Sequence, residues 1–79
     1  MNQQLTKTQR KVYNFMEDFL QENHRTPSSS DISKKFGWSS ANAGYLHRKA
    51  LEKKGFIKTD ENGDYKLLKS KFTFRRYLL

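Results

Sequence analysis

The sequence predicts a mainly α-helical domain in which three helices are followed by a small β-hairpin. Three observations support this prediction. Capping residues precede two amphipathic segments, a glycine follows each of the last two helical segments, and the pair Asn62-Gly63 separates two strand-like runs. The 79 residues of the chain suffice for one domain with a single small core.

The first helix is predicted to begin at Thr6. The Thr6 hydroxyl can accept from the backbone of Gln9, and the Gln9 side chain can reach back, which makes a capping box. An apolar stripe with helical spacing follows, formed by Val12, Phe15, Met16, Phe19 and Leu20. Pro27 limits the helix, because the residue before a proline is disfavoured in the α conformation. A helix from about residue 5 to residue 23 is therefore expected to pack on a core.

A second, short helix is predicted to begin at Ser28. Asp31 completes another capping box and places a negative charge in the first turn, where the helix dipole favours it. The apolar residues Ile32 and Phe36 are one turn apart, and Gly37 is suited to a left-handed cap. The helix is thus expected to span about two turns.

The third helix is predicted from about residue 41 to residue 54, after the turn Trp38-Ser39-Ser40 and before Gly55. One of the two serines is expected to cap it. Its periodicity divides it into an apolar side and an outward, basic side. The apolar side holds Ala43, Leu46, His47, Ala50 and Leu51, and the outward side holds Asn42, Tyr45, Arg48, Lys49 and Glu52. Two helices joined by so short a turn are typical of a helix-turn-helix.

A hairpin is predicted from the strand-like runs 56–59 and 65–68, with Asn62-Gly63 at its tip. Three helices followed by a hairpin make a winged helix-turn-helix, which we assign to residues 1–68. Residues 69–79 form a predicted tail with five aromatic or leucine residues, four basic residues and no acid. The tail could extend the second strand, pack on the first helix or contact a partner. Residues 72–79 are the candidate surface for a homodimer, because exposed aromatic side chains next to a small core need covering.

The charge of the chain points to a polyanionic partner. Sixteen lysine and arginine residues against eight acidic residues give a net charge of +8. Residues 28–58 hold seven of the basic and two of the acidic side chains, so most of the excess lies on the helix-turn-helix. Phosphate neutralisation needs cations on the surface that faces the duplex, and double-stranded DNA is therefore the expected partner.

The residue types disfavour catalysis and cofactor binding. Without cysteine the chain has no disulfide, thiolate zinc site or cysteine nucleophile. His24 and His47 are too few for a metal site, and His47 is expected to pack on the apolar side of the third helix. The acidic pairs Glu17-Asp18 and Asp60-Glu61 are adjacent and so point to different faces. We expect no enzyme activity and no cofactor, and, without a long apolar run, a soluble protein without membrane contact.

The spacing of these residues resembles the amino-terminal DNA-binding domain of the LexA repressor family over residues 5–57, without a gap. The matching residues are Leu5-Thr6, Gln9, Val12, Pro27, Ile32, Gly37, Ser40, Asn42-Ala43, His47, Lys49-Ala50-Leu51, Lys54-Gly55 and Ile57. The resemblance implies a transcriptional repressor that places its third helix in the major groove and its wing near the backbone or the minor groove. It also implies a cytoplasmic, nucleoid-associated protein encoded by a prokaryote or a phage.

The chain departs from the family in two respects. The typical repressor has two acidic residues where this chain has Tyr45 and Leu46, which argues against the SOS operator, because side-chain donors and acceptors read the bases. The family's self-cleaving serine and lysine protease domain has no counterpart in the sequence. Neither autoproteolysis nor the dimerisation that this domain supplies can therefore be assumed from the resemblance.

Residues predicted to contact DNA follow from the resemblance and from the chemistry of the outward face. They are Ser28, Ser39, Ser40, Asn42, Ala43, Tyr45, Leu46, Arg48, Lys49, Lys58 and Lys66. Asn42 can pair with an adenine edge, and Tyr45 can meet a thymine methyl group or a phosphate, or pack as a half-exposed aromatic. Periodicity places Leu46 towards the core, whereas the resemblance places it near the bases.

Phosphate contacts are expected from the remaining polar residues. Ser39 and Ser40 lie at a helix N-terminus, which attracts phosphate, while they also serve as caps. Arg48 and Lys49 are expected to point outward from the third helix, and Lys58 and Lys66 flank a wing whose acidic tip disfavours deep entry into the minor groove. Gly44 is unusual inside a helix and predicts a close approach to DNA or to the second helix.

Two other functions remain open on the sequence. One is a winged-helix module for protein contact, such as an inhibitor from a mobile element, in which Trp38 and the tail carry the function. The other is a replication or recombination factor that binds DNA with little sequence preference, in which charge matters and Asn42 does not.

Overall fold

The computed structural model describes residues 4–69. It contains three helices and one two-stranded antiparallel sheet, which confirms the predicted class. The elements in chain order are α1 Lys7–Asn23, α2 Ser29–Phe36, α3 Ala41–Lys53, β1 Ile57–Thr59 and β2 Tyr65–Leu67. Of the predicted tail, only Lys69 lies within the described residues, so the boundary at residue 68 stays a prediction.

The start of α1 agrees with the prediction, but the side of the helix that is buried differs from the predicted one. Thr6 and Gln9 form the capping box, with Thr6 Oγ1 accepting from the Gln9 N–H at 3.1 Å. The buried residues are Val12, Tyr13 and Met16, whereas Phe19 lies outside the core cluster. Tyr13 is buried because the hairpin reaches this side of α1, where Phe56 meets the Tyr13 ring edge-on at 5.5 Å between ring centroids.

The hairpin packs against the helices and completes the hydrophobic core. Ile57 pairs with Leu67 and Thr59 with Tyr65 in the register of the two strands. The side chains of Ile57, Tyr65 and Leu67 are buried and join the cluster that contains Leu51 of α3. Side chains alternate across a strand, so the residues between them point outward. The wing is therefore fixed to the body by one face and free on the other.

The N-terminal caps of α2 and α3 differ. The Ser28 hydroxyl accepts from the Asp31 N–H at 3.1 Å, and the Asp31 carboxylate accepts from the Ser28 N–H at 3.0 Å. Ser40 occupies the N-cap position of α3, but the prediction of a serine side-chain cap was wrong there. The Ala43 N–H, which a capping hydroxyl would satisfy, donates instead to the backbone carbonyl of Ser40 at 3.2 Å.

This difference predicts unequal effects of two serine substitutions on stability. Ser28→Ala should lower the free energy of unfolding by about 1 kcal/mol, because it removes a capping hydrogen bond. Ser40→Ala should change it by less than about 0.5 kcal/mol, since that hydroxyl caps nothing. Urea denaturation followed by circular dichroism measures both. An equal loss in the two variants would show that Ser40 caps α3 in solution.

Candidate nucleic-acid interface

The first turns of α3 carry an exposed surface of polar and apolar side chains. Ser39, Ser40 and Asn42 are exposed, and Ala43 is half-buried. Within residues 4–69, no hydrogen bond engages the side chain of Ser40 or Asn42. The donors and acceptors of these side chains are therefore available to an external partner.

α3 is held close to α2 at Gly44. The Gly44 N–H donates to Ser33 Oγ at 2.9 Å, and both residues are buried. A methyl group at position 44 would overlap with the backbone carbonyl oxygen of Ser29. Of the two explanations that the sequence left open for this glycine, the structure supports the approach of α2. The contact fixes the first turn of α3 against the rest of the domain.

Leu46 is exposed, with 56% of its surface accessible, so its predicted place on the apolar side of α3 was wrong. The buried residues of α3 are Gly44 and Leu51, which are seven positions apart and therefore share one side of the helix. Leu46 lies two positions after Gly44 and projects away from that side. Tyr45, 43% exposed, lies beside it. These two side chains, here called the apolar pair, belong to the outward surface of α3.

Arg48 is less free than the sequence predicted, since it bridges α3 and the wing. Its guanidinium carbon lies 4.6 Å from the ring centroid of Tyr65 in β2 and 5.9 Å from that of Tyr45. Its Nε atom is buried, and no residue among 4–69 hydrogen-bonds to it. Arg48 packs inward here because the wing brings the Tyr65 ring against α3, which helical periodicity could not indicate.

Lys49 is engaged along its own helix. Its Nζ atom lies 3.0 Å from the Glu52 carboxylate, and both side chains are solvent-accessible. The hydrogen bond from Lys49 lowers the pKa of Glu52, and the same bond raises the pKa of Lys49. An exposed pair of this kind contributes little to stability, so Lys49 can exchange Glu52 for a phosphate at small cost.

The wing presents two lysines on its outer face. Lys58 and Lys66 are directly opposite in the strand register, and both are exposed. Like charges in such a pair repel one another unless an anion lies between them. At the tip, the Asp60 carboxylate accepts from the Asn62 and Asp64 N–H groups at 2.9 and 3.1 Å. The acidic tip is thus organised by its own carboxylate, and the cations lie further back.

A cleft of about 570 Å³ separates the segment between α1 and α2 from the wing. It brings together three of the predicted contact residues, namely Ser28, Arg48 and Lys66. Arg25 also lines it and forms an ion pair with Asp31 at 3.4 Å. The sequence reasoning missed Arg25, although a cation two residues before Pro27 is a possible signal. The Arg25 side chain is largely exposed, so the cleft offers this cation to an anion on the surface.

The pKa of Asp31 is lowered, first by the hydrogen bond from the Ser28 backbone. The Ser28 hydroxyl is occupied as a cap as well. Ser28 therefore lies at the cleft chiefly to position α2.

An aromatic stack joins the end of α2, the following turn and α3. Trp38 stacks on His47 with 4.4 Å between ring centroids, and Phe36 stacks on Trp38 at 5.1 Å. His47 Nδ1 lies 2.9 Å from the carbonyl oxygen of Ala43. His47 is thus a packed, hydrogen-bonded residue. Within residues 4–69 no group of histidine and acidic side chains is arranged to hold a metal ion, and no helix is long and apolar enough to cross a membrane.

Comparison with known proteins gives consistent matches to one family. The family model described as the LexA DNA binding domain matches residues 2–63. The LexA repressor of Syntrophobacter fumaroxidans is 38% identical over 55 residues, which cover 70% of this chain and 27% of the relative. The LexA repressor of Colwellia psychrerythraea is 42% identical over 53 residues, which cover 67% of this chain and 25% of the relative.

A longer match is found with the LexA repressor of Thermotoga maritima, which is 42% identical over 65 residues. These residues cover 82% of this chain and 32% of the relative. The chain therefore spans about a quarter to a third of the length of the curated relatives it matches.

Proposed function

This chain belongs to the LexA DNA-binding domain family, and from that premise we propose that it is a sequence-specific double-stranded DNA-binding protein that represses transcription. The observation that carries the proposal is the outward surface of α3, where the side chains of Ser40 and Asn42 are exposed and form no hydrogen bond within residues 4–69. An α-helix with such a surface fits the major groove.

Asn42 is the residue we propose to recognise a base. Its amide N–H can donate to N7 of adenine while its amide oxygen accepts from the N6 amino group, the bidentate arrangement typical of asparagine, which discriminates by about 1–3 kcal/mol against other bases. Its position in the first turn of α3 suits this role, since helices that dock in the major groove commonly use their N-terminal residues.

Phosphate contacts are proposed from the wing and from the cleft. The facing pair of Lys58 and Lys66 meets the backbone, which relieves the repulsion between the two lysines. Arg48 reaches a phosphate only with its guanidinium end, because its Nε atom is buried. Lys49, Ser39 and Ser40 complete the proposed set at the start and middle of α3. These contacts orient the helix without reading the sequence.

Two copies bound to neighbouring half-sites would supply the surface that one small domain lacks. We propose that residues 72–79, which lie outside the described residues, contribute to that pairing. We also propose that the protein acts on the chromosome of a bacterial or phage-infected cell. Sedimentation of the full chain with and without a two-half-site duplex tests the pairing.

Selection of bound duplexes from a random pool tests the proposal, followed by Asn42→Ala. We expect a motif to emerge, and we expect Asn42→Ala to reduce the preference for the selected duplex over a random one by about 5- to 150-fold. The matched control is Asn14→Ala, which removes an exposed asparagine from α1 and should leave the preference unchanged. Failure to select any motif would contradict the proposal.

The salt dependence of binding separates specific recognition from binding by charge alone. Lys58→Ala and Lys66→Ala should each weaken binding to all sequences alike and reduce the slope of log K against log salt by about one. If random and selected duplexes bind equally at every salt concentration, the non-specific alternative is correct. The alternative function, a module for protein contact, would use Trp38, but the Trp38 ring is stacked on His47.

A further inference from the structure

We propose that the apolar pair, Tyr45 and Leu46, contacts the 5-methyl groups of thymine in the major groove and so sets the base preference of this protein. The inference rests on the proposed function, because it requires that α3 enters the groove. It goes further in naming the chemical group that is read and the two side chains that read it.

The first observation is where the exposed large hydrophobic side chains lie. Within residues 4–69 there are three of them, namely Tyr45, Leu46 and Leu68. Two are neighbours on the outward surface of α3, and the third follows β2. Single exposed apolar residues are ordinary, but two adjacent ones on a helix surface form a patch that water solvates poorly. The apolar pair therefore favours an apolar group in its partner.

The second observation is the position of the apolar pair relative to Asn42. Residues three and four positions apart on a helix are neighbours on its surface, so Tyr45 and Leu46 both lie one turn beyond Asn42. A helix that places Asn42 against one base pair consequently places the apolar pair against the adjoining base pairs. The pair meets base edges rather than the solvent outside the groove.

The third observation is the local charge. Arg48 lies over the ring of Tyr45 at 5.9 Å, and the nearest acidic residue further along α3, Glu52, is bonded to Lys49. Residues 41–51 contain no acidic side chain. This surface is thus apolar within a cationic border, and the border suits approach to DNA. Stacking on Arg48 also limits the orientations of the Tyr45 ring.

The chemistry of the groove then selects the ligand. In the major groove, guanine, cytosine and adenine present donors and acceptors at their edges, and only thymine presents an apolar group, its 5-methyl. Leucine has no hydrogen-bonding atom in its side chain, so Leu46 leaves a donor or acceptor opposite it unpaired. Thymine is the base whose edge this pair accommodates with a gain, through burial of the methyl group.

The experiment replaces thymine by deoxyuracil, which lacks only the methyl group, one position at a time in the selected duplex. For the full chain we expect binding to weaken about fourfold at one or two thymines, the factor that corresponds to about 0.8 kcal/mol for one buried methyl group. In Leu46→Asn, at least one of these penalties should disappear. Tyr45→Phe should retain the deoxyuracil penalties of the parent protein, because the Tyr45 ring and not its hydroxyl contacts the methyl group.

The matched control is Leu68→Asn, which removes the third exposed large hydrophobic side chain without altering α3. Every deoxyuracil penalty seen with the parent protein should persist in that variant. Because all three side chains are exposed, the variants should fold, and circular dichroism verifies this.

Several results would overturn the inference. If a motif is selected but deoxyuracil binds as well as thymine at every position, the apolar pair does not read methyl groups, while the proposed function stands. The same conclusion follows if the penalties survive Leu46→Asn, or if Leu68→Asn abolishes them. If no motif emerges at all, both the proposed function and this inference fail, since a side chain that reads thymine would create a preference.

Discussion

Gly44→Ala is expected to destabilise the protein by about 2 kcal/mol and to lower Tm by roughly 10 °C, although alanine is the better helix former. The added Cβ would overlap with the Ser29 carbonyl oxygen and lie 2.9 Å from Ser33 Oγ. Because Ser29 contributes backbone rather than a flexible side-chain end, α2 and α3 must separate. Overpacking of this kind costs about 1–3 kcal/mol or more and exceeds the helix-propensity gain of up to about 1 kcal/mol.

Separation of the two helices should also weaken binding to the selected duplex, because it displaces the first turn of α3, which the contact between Gly44 and Ser33 fixes against α2. Thermal unfolding measures the first effect and titration with labelled duplex the second. The control is Gly63→Ala in the wing loop, where φ is 89° and open space surrounds the position. That variant should lose only about 1 kcal/mol from backbone strain. A Gly44→Ala variant as stable as the parent would show that α2 does not require glycine here.

Alkaline solution is expected to destabilise the protein through its buried tyrosines. Burial raises the pKa of Tyr65 above its ordinary value of 10.0, and burial likewise raises the pKa of Tyr13 to about 12. The backbone N–H of Lys69, 3.2 Å from the Tyr13 hydroxyl, partly offsets the effect of burial there. Both hydroxyls therefore hold their protons more tightly in the folded state than in the unfolded chain.

The direction in which stability changes with pH follows from this difference in proton binding. The stability that depends on the two neutral hydroxyls is fully present below pH 10 and is lost as the pH rises through the folded-state pKa values. For Tyr65 the loss is up to about 1.4 kcal/mol for each pH unit above 10. For a domain of this size, whose stability is on the order of 5 kcal/mol, such a slope removes a substantial part of the free energy of unfolding before pH 12.

Urea denaturation at pH 8 and at pH 11 measures the alkaline loss. Tyr13→Phe should reduce the difference between the two pH values, because a phenylalanine cannot ionise. Tyr45→Phe serves as the control, since it removes a hydroxyl from a side chain that stays 43% exposed in the folded protein. The lysines are common to all variants, and a comparison between variants cancels their titration. An unchanged difference in Tyr13→Phe would refute a role for Tyr13.

The elements that the sequence predicted best are those set by local hydrogen bonding. Thr6 with Gln9 and Ser28 with Asp31 form their capping boxes as expected, and Gly37 ends α2 with φ at 74°. Each of these depends on residues at most a few positions apart. Ser40 is the exception, because its backbone carbonyl takes the N–H that its hydroxyl was expected to bind.

The candidate site was predicted less completely. The residues at the start of α3 lie together on an exposed surface, as their spacing indicated, and Lys58 and Lys66 face each other across the hairpin. Helical periodicity placed Leu46 on the wrong side of α3. The side that faces the core contains Gly44 and Leu51, and the pattern of apolar residues along the helix did not identify it. Arg25 was not considered, because its place in the cleft depends on a wing about 40 residues further along the chain.

The sequence by itself determined the three helices, the hairpin, the basic charge of residues 28–58 and the family, because caps, turns and composition are local properties. Only the tertiary structure decided which sides of the helices are buried and which cations are free. Arg48 shows the physical reason. Its guanidinium is held by the ring of Tyr65, which is itself fixed by donation of its hydroxyl to the Pro27 carbonyl. Such contacts join residues far apart in sequence, and only packing brings them together.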